Sequence, residues 1–240
     1  MKHILIAFSL LTISSASHAL KPSPYFVVAD DYIAPALVKD HEKALVDFKV
    51  QADKNGYKGS WRFYAFDDGR HVAFNKQKNH DYEAQDSALW EQVSSKFSKD
   101  FLNSNDAVYR KTIVNQNFYL MRHLVELSNE PKSMQYEASP NMVWLELQLL
   151  RVPVKKYLVQ WSKDLKKQNS QLHFSVYSKQ YGANLPSVFI AFHTTSIVDF
   201  YQMMAKKGIH DPIKLLPEKL LEGVEKYNVS LAKYIPEISY

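Results

Sequence analysis

The chain repeats itself. Residues 44–48, Ala-Leu-Val-Asp-Phe, answer to residues 157–161, Tyr-Leu-Val-Gln-Trp, at an offset of 113. Both lie in apolar stripes of helical spacing: His41, Ala44, Leu45, Phe48 and Ala52 in the first copy, and Val154, Tyr157, Leu158, Trp161 and Leu165 in the second. At the same offset Trp61, Phe63, Tyr64 and Gly69 fall on Phe174, Val176, Tyr177 and Gly182, so a strand and the turn after it recur. A loop five residues longer in the second copy then sets Ala73-Phe74 against Ala191-Phe192 and Asp81-Tyr82 against Asp199-Phe200. The copies end alike, on Val125-Glu126-Leu127-Ser128 and Pro236-Glu237-Ile238-Ser239. Such a chain folds as two like units of about 100 residues, each long enough to bury a core.

The expected units are 20–128 and 141–240, joined by a polar, proline-flanked linker at 129–140. Each reads as a strand (25–29 or 142–150), a helix (38–55 or 153–169) and two strands (60–66 and 71–75, or 172–178 and 187–193). A second helix (81–101 or 196–207), a further short helix and a last extended piece (120–127 or 230–235) follow. Asp67-Asp68-Gly69 is a short hairpin turn in which Gly supplies positive φ, and Ser196 suits a helix N-cap. Pro35 and Pro153 suit helix entry. The order β-α-β-β-α-β, twice over, is the ferredoxin-like pattern in duplicate, an α+β fold packed as an internal pseudo-dimer. In this order the chain resembles the dimeric α+β barrel superfamily, with its monooxygenase-like and NIPSNAP-like members. The resemblance implies two sheets packed face to face. That superfamily includes cofactor-free oxygenases and haem-binding or haem-degrading enzymes, so the resemblance implies no single activity or cofactor.

Composition narrows the functional classes. With 46% hydrophobic residues, 23% charged, 6 Gly and 10 Pro, the chain is of ordinary globular composition. Residues 1–19 read as an export signal: Lys2 and His3, an apolar run, then Ser17-His18-Ala19 before a cut that leaves Leu20 first. The expected location is therefore the periplasm or the exterior. The absence of Cys leaves stability to core packing rather than disulfides. A formal charge of +5 is mild, and Lys155, Lys156, Lys163, Lys166 and Lys167 read as one solvated helix face, so nucleic acid is not an expected partner. No second apolar run reaches spanning length, so no membrane span is expected.

No Gly-rich phosphate loop, G-x-S-x-G, H-E-x-x-H or cysteine motif is present. Candidate residues come instead from strand alternation. Val143, Leu145, Leu147 and Leu149 form an apolar row that leaves Trp144, Glu146 and Gln148 on the other face. Leu172, Phe174 and Val176 likewise leave His173, Ser175 and Tyr177, and Val188, Ile190 and Phe192 leave His193. The first copy adds Arg62, Tyr64 and, by the same logic, His71 with Asn75. The expected ligand-binding set is therefore Arg62, Tyr64, His71, Glu146, His173, Tyr177 and His193, facing the space between the repeats.

No metal is assigned. Glu146, His173 and His193 are the residue types of a two-His, one-carboxylate site but lack a diagnostic spacing, and none of His123, His173 or His210 is marked as a haem ligand. The cofactor stays open. His41 on its apolar stripe reads as a buried core histidine, His80 and Asp81 as helix entry and capping, and the stripe Phe48, Trp61, Phe63, Trp161 and Phe174 as packing between helix and sheet. The functional expectation is a module that holds a small molecule between the repeats. The alternatives are a monooxygenase-like oxidoreductase working through Tyr177, His173 or His193, and an oligomer-forming or protein-interaction domain.

Overall fold

The computed structural model describes residues 24–77, 82–130, 138–150, 154–167 and 171–240, the side chains of 82–86 excepted. Residues 1–19, read above as an export signal, His80, Asp81, Pro153 and most of the expected linker lie outside the described residues. The first half runs β1 (Tyr25–Ile33), α1 (Val38–Lys54), β2 (Trp61–Phe66), β3 (Arg70–Gln77), α2 (Tyr82–Ser94), α3 (Lys99–Thr112) and β4 (Ile113–His123). The second runs β5 (Asn141–Leu149), α4 (Lys155–Lys167), β6 (His173–Tyr181), β7 (Ser187–Thr194), α5 (Ile197–Ala205), α6 (Glu218–Leu221) and β8 (Val224–Tyr234). All eight strands pair antiparallel and close into one barrel in the order β1-β3-β2-β8-β5-β7-β6-β4. Each half contributes one sheet, β4-β1-β3-β2 or β8-β5-β7-β6, so the duplicated β-α-β-β-α-β plan holds as an internal pseudo-dimer.

The seams between the sheets are short, and the chain ends reinforce them symmetrically. Strand β2 meets β8 only from Tyr64↔Tyr234 to Phe66↔Ala232, and β4 meets β6 from Leu120↔Tyr181 to His123↔Tyr177. Beyond β4, the turn Val125–Leu127 crosses onto the other half: Leu124 N donates to Val176 O at 2.8 Å, and Val176 N donates to Ser128 Oγ at 2.9 Å. Beyond β8, the turn Pro236–Ile238 does the same in reverse. Ile235 N donates to Phe63 O at 2.9 Å, and Phe63 N to Ser239 Oγ at 3.0 Å. The repeated Glu-Leu-Ser and Glu-Ile-Ser endings are thus a clasp, each copy holding the other.

Several expected elements differ, among them β1, which runs on to Ile33 rather than ending at Ala29, and the last strand of the second half, which begins at Val224 rather than Ser230. The helix expected over 81–101 is broken between α2 and α3, because Ser98 caps a new helix by accepting from Phe101 N at 3.2 Å. The last strand of the first half begins at Ile113 rather than Leu120, directly after α3, where Ile113-Val114 favours extended backbone. The hairpin turn is as expected, with Gly69 at φ +88°, and Ser196 caps α5 by accepting from Asp199 N at 3.2 Å.

One repeat alignment is shifted. Val27 and Trp61 both pair with Asn75, whereas Val143 and Phe174 both pair with Phe192. Asn75 is therefore the counterpart of Phe192, Phe74 of Ala191 and Ala73 of Ile190, and the second-copy loop is longer by four residues rather than five. A slip of one residue in a strand exchanges its two faces, which is why the matching Ala-Phe pair misled.

Candidate functional site

The space between the repeats is filled at its centre and keeps only small voids toward its two ends. Trp144 lies near its centre, with ring centroids 5.0 Å from Phe189, 5.7 Å from Phe74, 6.0 Å from Tyr177 and 6.2 Å from Phe66. Four of the expected site residues, Arg62, Tyr64, Tyr177 and His193, do meet inside the barrel, but around a void of only about 20 Å³, room for one water. His173 stands opposite His193 in the β6–β7 ladder, half-buried. Behind them runs a buried polar chain. His193 Nε2 lies 2.7 Å from Ser175 Oγ, Ser175 Oγ bonds to Glu130, and Glu130 lies 3.3 Å from His123 Nε2. Burial pushes the His193 imidazole down to about 4, so it is neutral at physiological pH.

Glu146 is elsewhere. It lies four residues along β5 from Met142, the partner of His193, a separation of about 13 Å along a strand. Glu146, His173 and His193 therefore do not converge, and among the described residues no group of three such side chains stands in metal-binding geometry. Glu146 lines a cavity of about 160 Å³ at the other barrel end, with Asp30, Arg70 and Lys179. Arg70 is buried there, paired with Asp30 at 3.2 Å and Asp68 at 2.8 Å and packed over Phe66 at 4.7 Å. These contacts commit the guanidinium to holding β1, β3 and the Asp67-Asp68-Gly69 turn together.

His71 and Asn75 do not share the inner surface. On β3 the inward row is Arg70, Val72 and Phe74, so His71, Ala73 and Asn75 point outward to the helices. That outer face holds a cavity of about 540 Å³ between the first sheet and its helices. Its apolar walls are Leu45, Phe48, Trp61, Phe63 and Trp90, and its polar lining includes Asp31, His41, Tyr109 and Gln116.

Comparison with the second repeat explains the cavity. In register, Ala29, Asp31, Ala73 and Asn75 stand where the second sheet has Leu145, Leu147, Ile190 and Phe192. Those four are fully buried against Leu158, Trp161, Phe200 and Met204. The first repeat has the same walls without the filling. Sequence reading missed Asp31, Tyr109 and Gln116, and it took Phe48, Trp61 and Phe63 as packing only. The available signal was the loss of bulk at Ala29 and Ala73 relative to the other copy, legible only in the correct register.

The polar end of the cavity is organised. Gln116 Nε2 donates to Asp31 Oδ1 at 2.6 Å, while burial holds the Asp31 carboxyl above its usual range. Burial also pushes the Tyr109 phenol up to about 12. His41 Nδ1 lies 3.0 Å from Thr112 Oγ1, whose hydroxyl reaches Tyr109 O at 3.4 Å. This direction of donation puts the His41 proton on Nδ1 and leaves Nε2 a lone pair. Burial, then His71, lowers the His41 pKa to about 4. The lining thus sets aromatic rings beside the Asp31–Gln116 pair and the Tyr109 phenol, suited to a flat, largely apolar molecule with a polar edge.

The architecture has known counterparts. A candidate monooxygenase from Fusobacterium nucleatum superposes with a TM-score of 0.56 over 90% of this chain and 94% of its own, at 10% identity. Chlorite dismutase from Candidatus Nitrospira defluvii gives 0.55 over 91% and 93%, at 9% identity. The chain has the dimeric α+β barrel fold. An anthrone oxidase-like protein shares this dimeric α+β barrel, with a TM-score of 0.54 over 90% and 92% at 10% identity. No protein-family model and no curated protein matches the sequence. At these identities the likeness establishes the fold, and the site must be argued from its own residues.

Proposed function

We propose that this dimeric α+β barrel protein binds a small, flat, largely apolar organic molecule in the cavity between the first sheet and helices α1, α2 and α3. One observation carries the reading. Two repeats of one fold differ at Ala29, Asp31, Ala73 and Asn75, and the bulk that closes the second core is missing from the first, leaving about 540 Å³ walled by aromatic rings. That volume is within the range of drug-sized ligand sites, and apolar walls with a few convergent polar groups are their usual composition. This reading sets the ligand beside the first sheet, where the space is about 540 Å³, in preference to the space between the repeats, where Trp144 and its neighbours leave voids of about 20 and 160 Å³. Export to the periplasm or beyond, from the segment 1–19, belongs to the same proposal, and N-terminal sequencing of the mature protein for a start at Leu20 tests it.

The test is native mass spectrometry of the full chain purified from its own compartment, with ligand retention compared between the parent and Ala73→Ile. A retained molecule that is lost on filling the cavity supports the reading. Equal retention by both overturns it. The narrower, oxidative reading draws on the likeness to a candidate monooxygenase and an anthrone oxidase-like protein. Oxygen uptake with the retained molecule, by the parent and not by Ala73→Ile, tests that reading separately.

A further inference from the structure

His41 and His71 stand on different elements, α1 and β3, with ring centroids 5.3 Å apart and planes tilted by 46°. Each has one nitrogen facing an oxygen. His41 Nδ1 lies 3.0 Å from the Thr112 hydroxyl, and His71 Nε2 lies 3.5 Å from the Glu42 carboxylate. The other nitrogen of each, His41 Nε2 and His71 Nδ1, is buried without a hydrogen-bond partner. His41 is 1% exposed and His71 5%.

A buried polar atom without a partner costs about 1–3 kcal/mol. Among the described residues only Asp30 Oδ1 and Ser162 Oγ share this condition. That two of the four fall on one pair of neighbouring imidazoles points to a missing common partner. Neither nitrogen presents surface that a water molecule can touch, and water needs about 2.8–3.0 Å from each. A metal ion needs only about 2.0–2.1 Å from an imidazole nitrogen and so takes less room. An oxygen acceptor on the far nitrogen is also what orients a metal-binding histidine, fixing its tautomer and raising its basicity. Asp31 stands directly opposite His71 in the β1–β3 ladder, and such neighbours have Cβ atoms about 4.5–5.5 Å apart, close enough to offset added positive charge.

We infer that His41 Nε2 and His71 Nδ1 together hold one transition-metal ion of the imidazole-preferring kind, Cu(II) or Zn(II). Because no third protein ligand is in place among the described residues, the remaining coordination positions belong to groups that reach the ion from the adjoining cavity, which His41 lines. Copper is the tighter of the two by the general order of divalent affinities.

The experiment is calorimetric titration of the metal-stripped full chain with Cu(II) alone and with Zn(II) alone. One ion per chain is expected, at least 100-fold weaker binding in His71→Asn, and no change in His210→Asn, which is exposed. Should His71→Asn fail to fold, Glu42→Gln decides, since it alters a part-exposed side chain and leaves both ligands in place. It is expected to weaken binding about 10-fold, at the low end for loss of a ligand's hydrogen-bond partner. No binding by the parent, or equal binding by the parent and the folded variants, overturns the inference. The metal is titrated without organic ligand and Ala73→Ile spares both imidazoles, so this result and the ligand-retention result fail independently.

Discussion

Ser175 and His193 meet inside the barrel with Oγ 2.7 Å from Nε2, and the same hydroxyl bonds to Glu130. Burial holds the imidazole neutral, with the Glu130 carboxylate pulling the other way. An unfolded chain protonates this histidine near pH 6.5, whereas the folded one resists until about 4. Stability from His193 is therefore complete above the unfolded value and declines as the pH falls from about 6.5 to about 4, by about 3 kcal/mol in all. Glu130 acts in the same direction at lower pH. His123 is foremost among the groups that hold its carboxylate below the usual range, so its contribution is lost as the pH falls below about 4.5. Urea unfolding at pH 7.5 and pH 5 measures the slope, and His193→Gln is expected to reduce it, the buried His41 and His71 supplying the rest.

Removing the Arg70 side chain leaves Asp30 buried without its cation and frees the hairpin turn from β1. Arg70→Met is expected to destabilise the protein by about 3–5 kcal/mol, the usual result of breaking a buried ion pair from one side. Denaturant melts compare it with the parent. Arg110→Met, which breaks an exposed pair with Asp106, is expected to leave the midpoint unchanged.

The two repeats should respond unequally to equivalent truncations. Trp161 is buried against Phe174 with centroids 4.9 Å apart, so Trp161→Ala is expected to cost about 3–5 kcal/mol. Its counterpart Phe48 is half-buried and borders the cavity. Phe48→Ala is expected to cost less than half as much, by the same unfolding measurement. In the opposite direction, Ala73→Ile puts bulk where space exists and is expected to raise stability by about 0.5–2 kcal/mol. A loss of stability would mean that the cavity walls cannot accept the second repeat's packing.

Ser128 and Ser239 clasp the halves through Val176 N and Phe63 N. Replacing either with Ala leaves a backbone N–H unpaired at a seam and is expected to cost about 1–3 kcal/mol. The double variant should cost close to the sum, since the clasps lie on opposite seams and share no partner. Departure from additivity would show that the seams open together.

Strand alternation and the internal repeat made the architecture legible before any coordinates. The side of the sheet taken by Trp144, Tyr177 and His193 followed from period-two patterning, because a strand that buries both faces still sorts its residues between them. Whether that inner face enclosed a site was not legible. It depends on the summed volume of side chains arriving from eight strands, and around Trp144 they leave room for about one water. His71 was misplaced for a related reason, since both rows of β3 carry polar residues and only pairing with β1 decides which row faces outward. The sequence by itself determined two copies of one chain path and the faces of their clearly patterned strands. Tertiary structure alone decided that the second copy is full and the first is hollow, because a cavity is a difference between opposing surfaces and belongs to no single segment.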